Sequence, residues 1–345
     1  VAEPIFGVGL LRRRGAPIEE LEAGRLAAAH WGIEGTVERL AAEVDENFRI
    51  AAATGTYLLK IVPADEEPSL TELVTAALVH VEAAGTVEAQ RVVAAGSGAR
   101  LVSFTDAEGN ERRARLTTFM DGRTLRSVEL DPGLRRRLGE TLARLALCLR
   151  GFDHPGADRE LSWDLRHGGR MRAMLAELGP GPRRAELDAC LEQFDAETVP
   201  RLLPLPAQIV HNDLSRDNAV LTTAGRLGVI DFGDIVRTQR VNDLAVAMAD
   251  QLEAGPEPFA PALDLAEGYA AVAPLEAAEV ELLPALTRAR VATRIVGGEW
   301  RAARFPENRE YLARNVERLW GVFASLPERP ADADARRLAQ IGAAR

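Results

Sequence analysis

The sequence predicts an α/β (α+β) chain of two lobes, a small mixed β-sheet lobe over 1–120 and a mostly helical lobe over 121–345. Three observations lead there. The first third alternates short apolar runs with turn residues, as strands do, whereas leucines recur at helical spacing after Asp131. With 345 residues and 47% hydrophobic content, the chain can bury a core large enough to divide. Late in the sequence, around 207–234, strand character returns briefly and polar residues concentrate.

In order, Pro17 to His30 reads as a helix, and Thr36 to Val62 as three short strands broken near Asp45-Glu46-Asn47 and Thr54-Gly55. A helix is predicted from Ser69, with Leu70, Leu73, Ala77, Leu78 and Val81 on one stripe. Strands are expected near Arg91–Ala94, Leu101–Thr105 and Arg112–Phe119, the last two joined by a turn at Gly109-Asn110. Asp131-Pro132 is a helix start, an N-cap followed by proline at the first helical position. Leu134, Leu138, Leu142, Leu145 and Leu149 then form its buried stripe. Further helices are predicted over 165–179, 184–198, 240–253, 276–303 and 307–326, and the last fifteen residues, being polar, are expected to fray. Ala219–Leu221 and Arg226–Ile230 read as a hairpin turned by Thr222-Thr223-Ala224-Gly225.

That hairpin carries the chemistry. Residues 211–234, HNDLSRDNAVLTTAGRLGVIDFGD, contain H-x-D-x-x-x-x-N followed by D-F-G, the pattern of kinase-fold phosphotransferases. Phosphoryl transfer needs a carboxylate to orient the acceptor hydroxyl and take its proton, and oxygen ligands to hold Mg²⁺ against the nucleotide phosphates. Asn218 and Asp231 offer an amide and a carboxylate oxygen, which suit a hard ion, and the hairpin brings them to one end. Asp213 is left for the hydroxyl. An ordinary surface hairpin with scattered acids is the bland alternative, and the joint spacing outweighs it.

A second signal comes from scarcity. Of 42 cationic residues only Lys60 is a lysine, in a chain whose Arg, Ala and Gly suggest a GC-rich genome. It lies in the strand Tyr57-Leu58-Leu59-Lys60-Ile61, on the face of Leu58 and Val62, and parallels the V-A-I-K strand of kinases. An ammonium on an apolar strand needs an anionic partner, and nucleotide phosphates provide one. An edge-strand lysine guarding against aggregation is the weaker reading. Glu72 is the first acid inside the following helix and could hold Lys60; Ser69-Leu70-Thr71-Glu72 equally matches a capping box. Glu66, Glu67 and Glu82 are substitutes. No G-x-G-x-x-G precedes Lys60, so a tight glycine flap over the phosphates is not expected.

With these residues the chain resembles the aminoglycoside phosphotransferase-like superfamily, and within it the hydroxylysine kinase group. The resemblance rests on His211-Asn212-Asp213 through Asn218 and on Ile230-Asp231-Phe232-Gly233-Asp234. It is extended by Asp45-Glu46-Asn47-Phe48, Trp163-Asp164-Leu165 and the segment Arg288–Leu312 with Pro306-Glu307-Asn308. It implies a two-lobed protein-kinase-like fold and O-phosphorylation of a small molecule from ATP or GTP with Mg²⁺. Asp213 would be the base, Asn218 and Asp231 the metal ligands, and Lys60 the α/β-phosphate contact. Asp234 would hold a structural hydrogen bond near the substrate. In such a fold the backbone at Phe119-Met120 would meet the purine edge. Asn212 stands where relatives carry glycine, a departure that bears on the acceptor.

For the acceptor pocket the candidates are Trp163, Asp164, Arg290, Arg294 and Trp300. An aromatic with an acid can hold an ammonium, and an arginine can grip a carboxylate bidentately. Taken singly, such tryptophans are more often core and such arginines surface charges. The expected acceptor is an amine or amino-acid-like compound; the alternatives are an aminoglycoside or other antibiotic kinase, or a nucleotide-binding pseudokinase. Net charge −10 argues against nucleic acid. Only Cys148 and Cys190 are present, without a disulfide or Cys/His metal pattern, and no apolar run reaches membrane-spanning length. A cytoplasmic enzyme compatible with a homodimer is expected.

Overall fold

The computed structural model describes residues 17–42, 45–304, 309–327 and 331–343. Helix α1 (Glu20–Trp31) ends at Gly32, whose φ of 65° lets its N–H reach back to the carbonyls of Ala27 and Ala28. Strands β1 (Gly35–Leu40), β2 (Glu46–Ala52) and β3 (Gly55–Ile61) follow as an antiparallel meander. After α2 (Pro68–Ala84) and the two-residue β4 (Glu88–Ala89), strands β5 (Val102–Thr105) and β6 (Glu111–Thr118) complete a sheet of order β1-β2-β3-β6-β5. Every pairing in it is antiparallel, where mixed strands were expected. The strand expected at Arg91–Ala94 shrinks to one bridge, Val92 to Thr117.

The alternation read from the sequence holds on β3. Leu59 and Ile61 point into a small core with Phe48, Ile50, Ala114, Leu116 and, from α1, Ala23 and Ala27. Lys60 therefore occupies the opposite face. Across the sheet it lies between Asn47 of β2 and Arg115 of β6, the three forming one transverse polar row. On the opposite face, Glu46 is buried, accepts from the Ile18 N–H and pairs with Arg39 and Arg112. The Asp45-Glu46-Asn47 motif thus carries a structural acid at its centre.

The helical part begins after β7 (Gly122–Thr124) with α3 (Pro132–Leu149). Asp131 caps it, accepting from the Leu134 N–H at 2.7 Å. Leu138, Leu142, Leu145 and Leu149 are fully buried, each contributing roughly 2 kcal/mol. A 3₁₀ turn (Leu165–Met171) precedes α4 (Arg172–Glu177), and α5 (Pro182–Gln193) leads through a π turn to α6 (Val199–Leu202). Strands β8 (Ala207–Val210), β9 (Ala219–Thr222), β10 (Leu227–Val229) and β11 (Val236–Gln239) surround the polar segment. They form two small sheets, β4-β10-β9-β7 and β11-β8. Helices α7 (Arg240–Gln251), α8 (Ala260–Val272), α9 (Ala277–Arg304), α10 (Arg309–Ser325) and α11 (Asp332–Ala343) close the chain.

Two helices were not anticipated. α8 is rich in alanine and buried on most sides, so it shows no one-sided stripe. The tail expected to fray forms α11, where Arg337 binds Asp264 and Glu267 of α8 and Leu338 and Ile341 join the core. Pro306-Glu307-Asn308 lies outside the described residues. The main core unites α3, α7, α8 and α9, and it also takes in Leu73, Val74, Ala77, Leu78 and Val81 of α2.

Helices α3 and α8 approach closely enough that a Cβ on Gly139 would collide with the Leu265 carbonyl, and one on Gly268 with the Arg136 carbonyl. Replacing Gly139 by alanine gains up to about 1 kcal/mol of helix propensity. Overpacking against rigid backbone costs roughly 3 kcal/mol and should win. Gly139→Ala is expected to lower the urea midpoint; an unchanged midpoint would show that the helices can move apart freely.

Candidate active site

The β9–β10 hairpin sets the geometry. Val229 pairs with Ala219, and the Ile230 N–H donates to the Asn218 carbonyl at 3.0 Å, so Asn218 and Asp231 flank the open end of the hairpin. Asn218 turns its Nδ2 onto Asp213, donating to the backbone carbonyl at 2.9 Å and to Oδ2 at 2.8 Å. Its Oδ1 therefore faces away from Asp213. Arg290 of α9 donates from Nη2 to Asp213 Oδ1 at 3.1 Å. Both carboxylate oxygens are thus oriented by one bond each, while the side chain stays one-third exposed.

Two residues in the left-handed region shape these loops: Asn212 (φ 63°) and Asp231 (φ 59°). Asparagine and aspartate tolerate this region best after glycine, which suits both positions to their bends. The Asn212 N–H donates to Asp243 of α7 at 2.7 Å. His211 then ties the loops together. Its Nδ1 accepts from the Asp213 N–H at 3.3 Å and its Nε2 donates to the Ile230 carbonyl at 3.2 Å. Only the neutral ring protonated on Nε2 can do both, and burial lowers its pKa accordingly. Asp231 bends so that Oδ1 accepts from the Gly233 N–H. Arg159 pins the next carbonyls, those of Gly233 and Ile235.

Lys60 enters from the sheet. Its Nζ lies 2.7 Å from Asp45 and 3.4 Å from Asp231. Burial opposes its charge, but Asp231 and Asp45 outweigh burial and raise the ammonium above its ordinary value. In return Lys60 holds Asp231 below the usual carboxylate range. Arg115, buried beside it, donates to Thr75 of α2 at 3.0 Å, and burial lowers its pKa. Burial pushes Asp213 up to about 6, against the pull of Arg290 and Arg294. Asp234 is pushed up to about 7 by burial, then by the nearby charge of Asp213.

Several residues fall elsewhere than expected. Glu72 does not hold Lys60; it is an exposed residue on α2, and Asp45 takes that place. Nor does it cap, because the helix starts at Pro68 and displaces the Ser69 box. Asp164 is fully buried and committed to Arg166 and Thr238, which removes it from an acceptor pocket. Trp300 is 1% exposed and bonds Glu177 within the core. Trp163 offers its carbonyl to Arg290. Arg294 turns to Asp250 of α7 rather than to Asp213. Phe119 lies under Arg49, and Met120 covers Gly228 in the linker between β6 and β7. Arg115, Arg159 and Asp250 were not singled out, and Asp45 stood only as part of a motif and not as the partner of Lys60; finding these roles requires strand register and tertiary contacts.

The donor set fits Mg²⁺. Asn218 Oδ1 and the Asp231 carboxylate are two hard oxygens, few enough that phosphates and water must complete the shell. Among the described residues no group of three or more His, Cys, Asp or Glu could hold a metal by itself.

A carboxylate held by an amide and a guanidinium, two oxygen donors at one end of a hairpin and a half-buried lysine on the facing sheet are the arrangement of a kinase-type phosphotransferase. The chain belongs to the phosphotransferase enzyme family (APH), whose description matches residues 36–277, and it is a kinase of small molecules. It is 23% identical over 327 residues to hydroxylysine kinase of Mus musculus, covering 87% of each chain. A homoserine kinase of Hyphomonas neptunium is 35% identical over 190 residues, 51% of this chain and 56% of the relative. Among solved structures, an amicoumacin kinase superposes with a TM-score of 0.71 at 16% identity, covering 92% of this chain and 97% of its own. No helix among the described residues is long and apolar enough to cross a membrane.

The raised Asp234 has a measurable consequence. A carboxyl whose folded pKa exceeds its unfolded value favours the folded state at low pH, and that contribution is lost as pH rises from about 4 through about 7. In metal-free protein Asp234→Asn is expected to raise the melting temperature relative to wild type more at pH 8.5 than at pH 5.5. An equal difference at both values would place the Asp234 proton elsewhere.

Proposed function

We propose that the protein is a Mg²⁺-dependent kinase that transfers the γ-phosphoryl group of ATP or GTP to a hydroxyl of an amine or amino-acid-like compound, as hydroxylysine kinase does for its own substrate. The observation that carries this reading is Asp213, oriented through one oxygen by Asn218 and through the other by Arg290, with Lys60 and Asp231 alongside. Relatives named for hydroxylated amino acids support the acceptor class.

In this reading Asp213 accepts the hydroxyl proton as the acceptor oxygen bonds to the γ-phosphorus and the bond to the β-phosphate oxygen breaks. Its raised pKa makes it a better proton acceptor than a solvated aspartate. Lys60 turns its ammonium to the phosphates, exchanging carboxylate partners for phosphate oxygens. Asn218 Oδ1 and the Asp231 carboxylate would hold Mg²⁺, which would supply neutralisation of charge on the phosphates. Arg290 keeps Asp213 from rotating. A polycationic aminoglycoside is a poor match for an acceptor side carrying Arg290 and Arg294, which disfavours the antibiotic-kinase alternative. The cytoplasm, which supplies the nucleotide, is the compartment this reading assumes.

The test is nucleotide turnover with Mg²⁺, ATP or GTP, and a panel of hydroxy amino acids, amino alcohols and aminoglycosides. Acceptor-dependent release of nucleoside diphosphate is expected, abolished by chelating Mg²⁺. Asp213→Asn should reduce it by about 10³-fold while nucleotide affinity persists. Lys60→Met should instead weaken nucleotide binding, read by calorimetry. Undiminished turnover in Asp213→Asn would remove Asp213 from the role of base.

A further inference from the structure

A second knot of charge lies beside the catalytic loop, centred on Asp250 of α7. Asp250 is 1% exposed and receives Arg216 (backbone N–H at 2.8 Å, Nε at 3.1 Å), Arg294 (3.3 Å) and Arg126 (3.4 Å). Burial opposes its charge, but Arg294, Arg216 and Arg126 outweigh it and hold the carboxyl well below the usual range. Arg126 also forks onto Asp217. From α10, Arg318 faces the same group, close enough for its charge to interact with Arg294, Asp250, Arg216 and Arg126. Its Nη2 is buried without a hydrogen-bond partner.

Among the described residues four guanidiniums thus share two carboxylates, an excess of two positive charges in a chain whose net charge is −10. Anchoring the catalytic loop explains Arg216 and its two bonds to Asp250. It does not explain Arg294, and still less the Arg318 Nη2, since a buried polar nitrogen left without a partner is costly. The cluster is accessible: Arg126, Arg216 and Arg294 keep 37%, 20% and 23% of their side-chain surface. It is also near the chemistry. Arg294 stands one turn along α9 from Arg290, about 6 Å of rise, and Arg290 touches Asp213.

We infer that Arg294 and Arg318, with Arg216 and Arg126 behind them, bind the carboxylate of the acceptor while its hydroxyl meets Asp213. The acceptor is then a hydroxylated amino acid, not an amino alcohol or an aminoglycoside. The inference rests on the kinase reading above and narrows it. A guanidinium pair offers the planar forks that a carboxylate fits, and the excess charge gives that carboxylate a partner that water would not replace.

The test uses acceptors that differ only in the carboxylate: 5-hydroxylysine against 1,5-diaminopentan-2-ol, and homoserine against 3-aminopropan-1-ol. Each is titrated calorimetrically into the full chain in the presence of Mg²⁺ and a non-hydrolysable ATP analogue. At least one amino acid is expected to bind about tenfold or more tightly than its decarboxylated partner, as a charge-assisted pair requires. Arg318→Met should bring that ratio close to one, and Arg318→Lys should restore part of it. Equal affinities in wild type, no binding of either amino acid, or an unchanged ratio in Arg318→Met overturns the inference. Should Arg318→Met not fold, the wild-type ratio and Arg318→Lys decide. Turnover with amino alcohols but no carboxylate preference would sink the subsite and spare the kinase reading. Absence of both nucleotide binding and acceptor-dependent turnover would sink the kinase reading itself.

Discussion

The cleft depends on a single ammonium. Lys60 reaches from the sheet to Asp231, 171 residues further along the chain, and holds Asp45 with its other side. Without it, Asp231, Asp45, Asp213 and Asp234 would face one another as like charges in a partly desolvated space, where repulsion is poorly screened. Arg290 and Arg159 relieve the rest from the helical side. Cations are thus distributed so that each carboxylate is held by an element whose position the core already determines. A chain that otherwise uses arginine keeps lysine where the charge must be compact and able to change partners.

Backbone conformation does the remaining positioning. Asn212 and Asp231 both occupy the left-handed region, and the two bends directly follow His211 and Ile230. His211 makes the bends interdependent: its neutral ring holds the Asp213 N–H on one nitrogen and the Ile230 carbonyl on the other. Phe232 packs edge-on against the same ring, with centroids 4.9 Å apart. Strain of this kind persists only where surrounding contacts over-determine it, and here the His211 ring, Asp243 and the Gly233 N–H do so.

What the sequence revealed follows from how locally each group is encoded. Asp213, Asn218 and Asp231 were legible because one hairpin brings them together, so spacing along the chain stands in for distance. Lys60 was legible through its rarity and its alternating strand. Its partner was not, because the nearest acid on the next helix, Glu72, and the true one, Asp45, differ only in where β2 and α2 start. Arg115 required the register between β3 and β6, which neither strand carries alone. Asp164 and Trp300 had the chemistry of a pocket but the burial of a core, and residue type does not separate the two. α8 was missed because a helix buried on most sides has no polar face to set its period.

The placement of α2 has a consequence for control. Leu73, Val74, Ala77, Leu78 and Val81 share one core with α3 and α7, so this helix is part of the floor of the cleft and not of its roof. Withdrawing those side chains would cost on the order of 5–10 kcal/mol, comparable with the whole stability of many domains. Any outward swing of this helix therefore has to break into the core that the rest of the helical part shares.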